Sequence, residues 1–131
     1  MDSQCVPTGV ITPVKNTPLD FTNFSSFADK GRLEGAILMG GKPGLDHCFV
    51  NDRKGGANAQ DFVEVATLRH EDSGREMKVW TTQASTVVYT ANHLPTDGSD
   101  GDHRKHAAVC LETMQMSDAV NNIGQQGWPS A

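Results

Sequence analysis

Glu112 is the acidic residue with the most chemical promise in this chain. If Ala107 to Met114 is a strand, period-two alternation puts Cys110, Glu112 and Met114 on one face, among neighbours that are largely apolar. A carboxylate held there without a cation is partly desolvated, which raises its basicity as a general base requires. The alternative is a strand-edge glutamate turned to water. Asp46 and His47 follow a Gly-Pro-Gly connection and offer an acceptor beside a titratable imidazole, although such residues also serve as turn caps or ordinary side chains. Gln83, at the end of a strand, presents an amide that both donates and accepts, which suits a polyhydroxylated ligand, although a solvated strand end is the commoner reading. Trp80, Tyr89 and Phe49 offer aromatic faces for a sugar ring, or core packing. His103 and His106 with Asp100 and Asp102 suggest a metal at first sight, but they fall in a polar loop without fixed ligand spacing. No Ser-His-Asp order, phosphate-binding glycine loop or dinucleotide fingerprint is present.

The elements that must position these residues read as strands. Phe62 to Arg69 and Glu76 to Thr82 are β-branched and aromatic, and Asp72-Ser73-Gly74 between them has turn chemistry. His47 to Val50, Thr86 to Thr90, Ala107 to Thr113 and Leu33 to Met39 are further candidates. Pro7 to Pro18 suits an edge strand or an extended loop, and Pro95 to Asp102 a surface loop. No apolar 3.6-residue repeat runs long enough for a helix. The expected fold is all-β, with one or two packed antiparallel sheets.

At 131 residues with a net charge of −5, residues 1–131 are expected to form a single domain. Scattered Lys and Arg residues argue against a nucleic-acid partner, and the lack of a long apolar run argues against a membrane span. Cys5, Cys48 and Cys110 are odd in number and widely spaced, which fits a reducing compartment, the cytoplasm by default.

Six blocks, taken in order, are more specific than these patterns. Pro7-Thr8-Gly9 with Thr17-Pro18-Leu19-Asp20-Phe21 resembles the "PTG…TPxDF" segment of the aldose 1-epimerase (galactose mutarotase) family. Leu45-Asp46-His47-Cys48-Phe49-Val50 resembles its "DHNF" motif. Ser73-Gly74-Arg75 with Thr81-Thr82-Gln83 is similar to "SGR…TTQP", and Tyr89-Thr90-Ala91-Asn92 to "YTGN". Cys110-Leu111-Glu112-Thr113 and Asp118-Ala119-Val120-Asn121 are similar to "LETQ…PDAVN".

The resemblance implies a β-supersandwich, here in part, and interconversion of the α and β anomers of a free hexose such as galactose or glucose without a cofactor. It assigns Glu112 as the base that takes the anomeric proton, with Asp46 and Gln83 binding the sugar. The family's acid histidine, a second active-site histidine and a sugar-binding arginine precede the "PTG" segment and have no counterpart among these blocks. His47, His70, His93, His103 and His106 all lie within the C-terminal blocks and none takes the acid role by motif. Cys48, Ala84 and Ser117 replace an Asn and two Pro residues of the motifs. A partial sandwich exposes strand edges and an apolar face, so self-association or a complementing chain is expected. A truncated, non-catalytic sugar-binding or assembly module is the alternative.

Overall fold

A computed structural model of the chain describes residues 8–27, 43–52, 60–97, 99, 101, 104–122 and 124. The candidate strand Leu33 to Met39, Cys5, Asp100, Asp102, His103 and most of the tail lie outside these residues.

The described residues are organised by five strands: β1 (Asp46–Val50), β2 (Val63–His70), β3 (Arg75–Thr81), β4 (Ser85–Tyr89) and β5 (Cys110–Met114). A short 3-10 turn at Ala119–Asn121 is the helical element among them. The expected all-β class holds, with antiparallel sheets. Pro7 to Pro18 forms no strand in its described part; turns over residues 15–19 replace it. Its prolines lack the N–H a ladder needs. No helix among the described residues is long and apolar enough to cross a membrane.

Two sheets result. β2 and β3 form an antiparallel hairpin, and the other three strands follow the hydrogen-bonded order β1-β4-β5. The hairpin closes through Glu71 to Gly74, where Gly74 has φ 64° and its N–H donates to the Glu71 carbonyl at 3.2 Å. Gly is favoured there because the left-handed conformation costs it nothing. Leu68 pairs with Met77 and Ala66 with Val79 on one hairpin face, whereas Glu64 pairs with Trp80 and Arg69 with Glu76 on the other. The Arg69–Glu76 cross-strand pair closes to 2.6 Å. A register shift between Glu64 and Ala66 inserts Val65 as an extra residue.

By compactness the chain divides into two units, Met1–His47 with Val87–Glu112, and Cys48–Thr86 with Thr113–Ala131. The first is organised around Leu45, fully buried, with Thr90, Ala91 and Asn92 also buried. In the second, Thr81, Ala84, Ser85 and Thr86 are the buried ones among the described residues, around the β3–β4 turn.

Candidate functional site

Asp46 opens β1 and is exposed, and the backbone immediately before it is held tightly. Leu45 N–H donates to Thr90 Oγ1 at 2.8 Å. Leu45 O accepts from Thr90 N at 3.0 Å and from Asn92 Nδ2 at 2.6 Å. The Thr90 hydroxyl donates onward to Asn92 Oδ1 at 2.8 Å. Each buried polar atom in this set therefore has a partner, as burial demands.

Gly44 precedes the set at φ 127°, where a Cβ would come within 1.9 Å of Asn92 Oδ1. Only glycine fits at that place. His106 presses on the same corner: its Nδ1 lies 2.8 Å from the Thr90 carbonyl, so Nδ1 carries the proton.

His47 follows Asp46 on β1 and is half-buried. Burial holds its imidazole below its ordinary range, against the opposing effect of the neighbouring Asp46 carboxylate. Its Nδ1 accepts the Asp46 N–H at 3.1 Å, a bond that needs that nitrogen unprotonated.

Glu112 is the central residue of β5, exposed, between the half-buried Leu111 and Thr113. The burial expected around Glu112 is not seen among the described residues. The physical reason is that β5 ends the hydrogen-bonded order, with β4 as its one strand neighbour among the described residues. Asp46 and Glu112 thus lie on β1 and β5, the two strands that flank β4. Both belong to the first compact unit.

Gln83 belongs to the second unit and occupies the turn from β3 to β4, not a strand end in water. It is half-buried, and its backbone is fixed at both ends. Gln83 N–H donates to Thr81 Oγ1 at 3.0 Å, and its carbonyl accepts from Asn51 Nδ2 at 2.9 Å. Asn51 also accepts from the Thr86 hydroxyl at 2.8 Å, and its own N–H donates to the Ala84 carbonyl at 2.9 Å.

The aromatic candidates separate. Trp80 is 49% exposed on the hairpin. Phe49 is half-buried on β1. Tyr89 stacks on His93 with ring centroids 6.1 Å apart and accepts the His93 N–H at 3.1 Å. Among the described residues no group of three or more His, Cys, Asp or Glu side chains converges as a metal site. Asn51 and Asn92, whose amides meet backbone from distant stretches, are residues that sequence reasoning did not single out. The signal for Asn92 was its place in the Tyr89–Asn92 block, whereas Asn51 carried none beyond its position after the Asp46 motif.

The described residues form an antiparallel all-β fold, and comparison with known proteins gives the family. A family model described as aldose 1-epimerase matches residues 1–128. The chain belongs to the aldose 1-epimerase family. It is similar to galactose mutarotase of Rattus norvegicus, 32% identical over 124 residues, which cover 92% of this chain and 33% of that protein. Galactose mutarotase of Homo sapiens is 33% identical over 124 residues with the same coverage. Maltose epimerase of Levilactobacillus brevis is 26% identical over 122 residues, covering 93% of this chain and 33% of the relative. The chain spans about a third of the length of the curated relatives it matches.

Proposed function

We propose that this chain supplies the base-bearing portion of an aldose 1-epimerase acting on a free hexose such as galactose or glucose. Glu112 takes the proton from the anomeric hydroxyl while an acid histidine, furnished by sequence outside these blocks, protonates the ring oxygen. The bond between the anomeric carbon and the ring oxygen breaks and the carbonyl forms. Rotation of the aldehyde presents its other face; on closure the former ring oxygen attacks the carbonyl carbon and gives its proton back to the histidine, while Glu112 gives its proton to the carbonyl oxygen, which becomes the new anomeric hydroxyl. Asp46 and Gln83 hold sugar hydroxyls, and no cofactor enters this scheme.

The observation that carries this reading is the strand order. Two acidic residues singled out by separate motifs, 66 positions apart in the chain, belong to the two strands that share β4 as a neighbour. In this reading the exposed Glu112 is covered in the working enzyme by further sequence of the protein or by a complementing chain. Phe62 at 75% exposure, and Met77 and Trp80 on opposite faces of the hairpin at 47% and 49%, are exposed apolar side chains in keeping with such an association. Cys48 and Cys110 are free thiols, in keeping with a reducing, cytoplasmic setting.

The test is polarimetry of freshly dissolved α-galactose or α-glucose with the chain and with Glu112→Gln. A general acid and a general base each contribute roughly 10² to 10⁴ in rate, so the chain alone should be slow and the variant slower still. Equal rates for both, matching buffer, remove the enzymatic reading for this polypeptide. The exposure of Glu112 favours a second reading, a sugar-binding module without turnover. Calorimetric binding of galactose with no acceleration of mutarotation would select it. Sedimentation of the chain as a sharp monomer with a cooperative melt would remove the complementing-chain proposal.

A further inference from the structure

We infer that Asn92 is a positioning residue for Asp46, so that the Tyr89–Asn92 block sets the orientation of the sugar-binding carboxylate from 46 positions away in the chain. The inference rests on the sugar-binding role proposed above for Asp46. The Leu45 carbonyl and the Asp46 N–H belong to one planar peptide unit, so fixing the oxygen fixes the direction in which the Asp46 Cα leaves it. That oxygen is held by two donors, Asn92 Nδ2 at 2.6 Å and Thr90 N at 3.0 Å.

The amide orientation of Asn92 is dictated by its partners. Leu45 O only accepts, so Nδ2 faces it, and the Thr90 hydroxyl, which already accepts the Leu45 N–H, donates to Oδ1 at 2.8 Å. Asn92 is 3% exposed, and the bare Cα of Gly44 makes room for its Oδ1. The N–H of that same peptide unit is taken by His47 Nδ1 at 3.1 Å, so both polar atoms of the unit that leads into the Asp46 Cα are held. The carboxylate itself is exposed and makes none of these bonds, so the network orients it without occupying it.

A double-mutant cycle on galactose affinity, read by titration calorimetry on the full chain, tests this. Asn92→Ala should weaken binding about tenfold in the parent chain and leave affinity unchanged in an Asp46→Ala background, because the group that Asn92 positions is then missing. Thr90→Val, which loses the hydroxyl bridging Leu45 and Asn92, should repeat that signature, and Thr90→Ser should retain parental affinity. These two variants decide the matter if Asn92→Ala does not fold. An equal loss in both backgrounds marks a general structural role and overturns the inference while leaving Asp46 as a sugar ligand. Galactose binding unaltered by Asn92→Ala in a folded chain overturns it as well. If the parent chain binds no galactose, the proposed function of this chain falls first and the inference falls with it.

Discussion

The side-chain amide of Asn51 donates to the backbone carbonyl of Gln83 at 2.9 Å, and so ties the residue that follows β1 to the turn that precedes β4. With the Thr86 hydroxyl donating to its Oδ1, Asn51 uses both ends of its amide inside the second compact unit. Asn51→Ala removes the hydrogen bonds to the Gln83 carbonyl and from the Thr86 hydroxyl. We expect a loss of about 1–3 kcal/mol in urea denaturation, the cost of losing two part-buried hydrogen bonds. Asn51→Asp, which keeps the acceptor for Thr86, should lose less.

Two glycines separate steric from conformational demand. Gly44→Ala forces a Cβ against Asn92 Oδ1 and a residue with a side chain into φ 127°. Gly74→Ala meets only the backbone term, φ 64° with open space around the new methyl. We expect about 1 kcal/mol for Gly74→Ala and at least about 3 for Gly44→Ala. Chemical denaturation of the two variants side by side measures the difference.

Ala91 stands in the left-handed region at φ 52° and is 3% exposed, at the place where the resembling motif has glycine. Ala91→Gly should therefore stabilise the chain by about 0.5–1 kcal/mol, seen as a higher denaturation midpoint. An unchanged or lower midpoint would show that the strain is relieved elsewhere.

His47 gives the chain a pH response. Burial, opposed by Asp46, lowers its imidazole from the ordinary value of 6.5, so the unfolded chain binds the proton first. Stability from this group is complete above about 6.5 and declines as the pH falls from there towards the folded-state value. His47→Gln should shrink the difference between denaturation midpoints at about pH 7.5 and about pH 5.5. An undiminished difference would assign the response to other groups.

Much of the fold was legible because strands announce themselves by alternation. The hairpin was the clearest case: the expected Phe62 to Arg69 and Glu76 to Thr82 became Val63–His70 and Arg75–Thr81, joined by the turn around Ser73 and Gly74. β5 begins at Cys110 and not at Ala107, because the chain is still turning there. His106 has φ 64°, and Ala107 N–H donates back to the Arg104 carbonyl at 2.9 Å. The bulge at Val65 adds one residue without altering composition, so no local pattern reveals it. Asp46, Gln83 and Glu112 came from motif resemblance. Their surroundings did not, since exposure depends on which strands arrive beside them. The contacts of Asn51, and those of Asn92 despite its place in the Tyr89–Asn92 block, were hidden for a related reason. A lone asparagine after a strand reads as turn chemistry until its amide is seen to meet backbone from a distant stretch.

The bond between Leu45 and Asn92 also has a kinetic meaning. Its partners are 47 residues apart, whereas the β2–β3 hairpin closes through a four-residue turn. Hairpins of that kind form in about 1–10 μs, and contacts across long loops wait for chain entropy to be surrendered first. A nascent polypeptide that has emerged only as far as Tyr89 therefore contains everything its hairpin needs to form, whereas the Asn92 that holds the Leu45 carbonyl arrives three residues later.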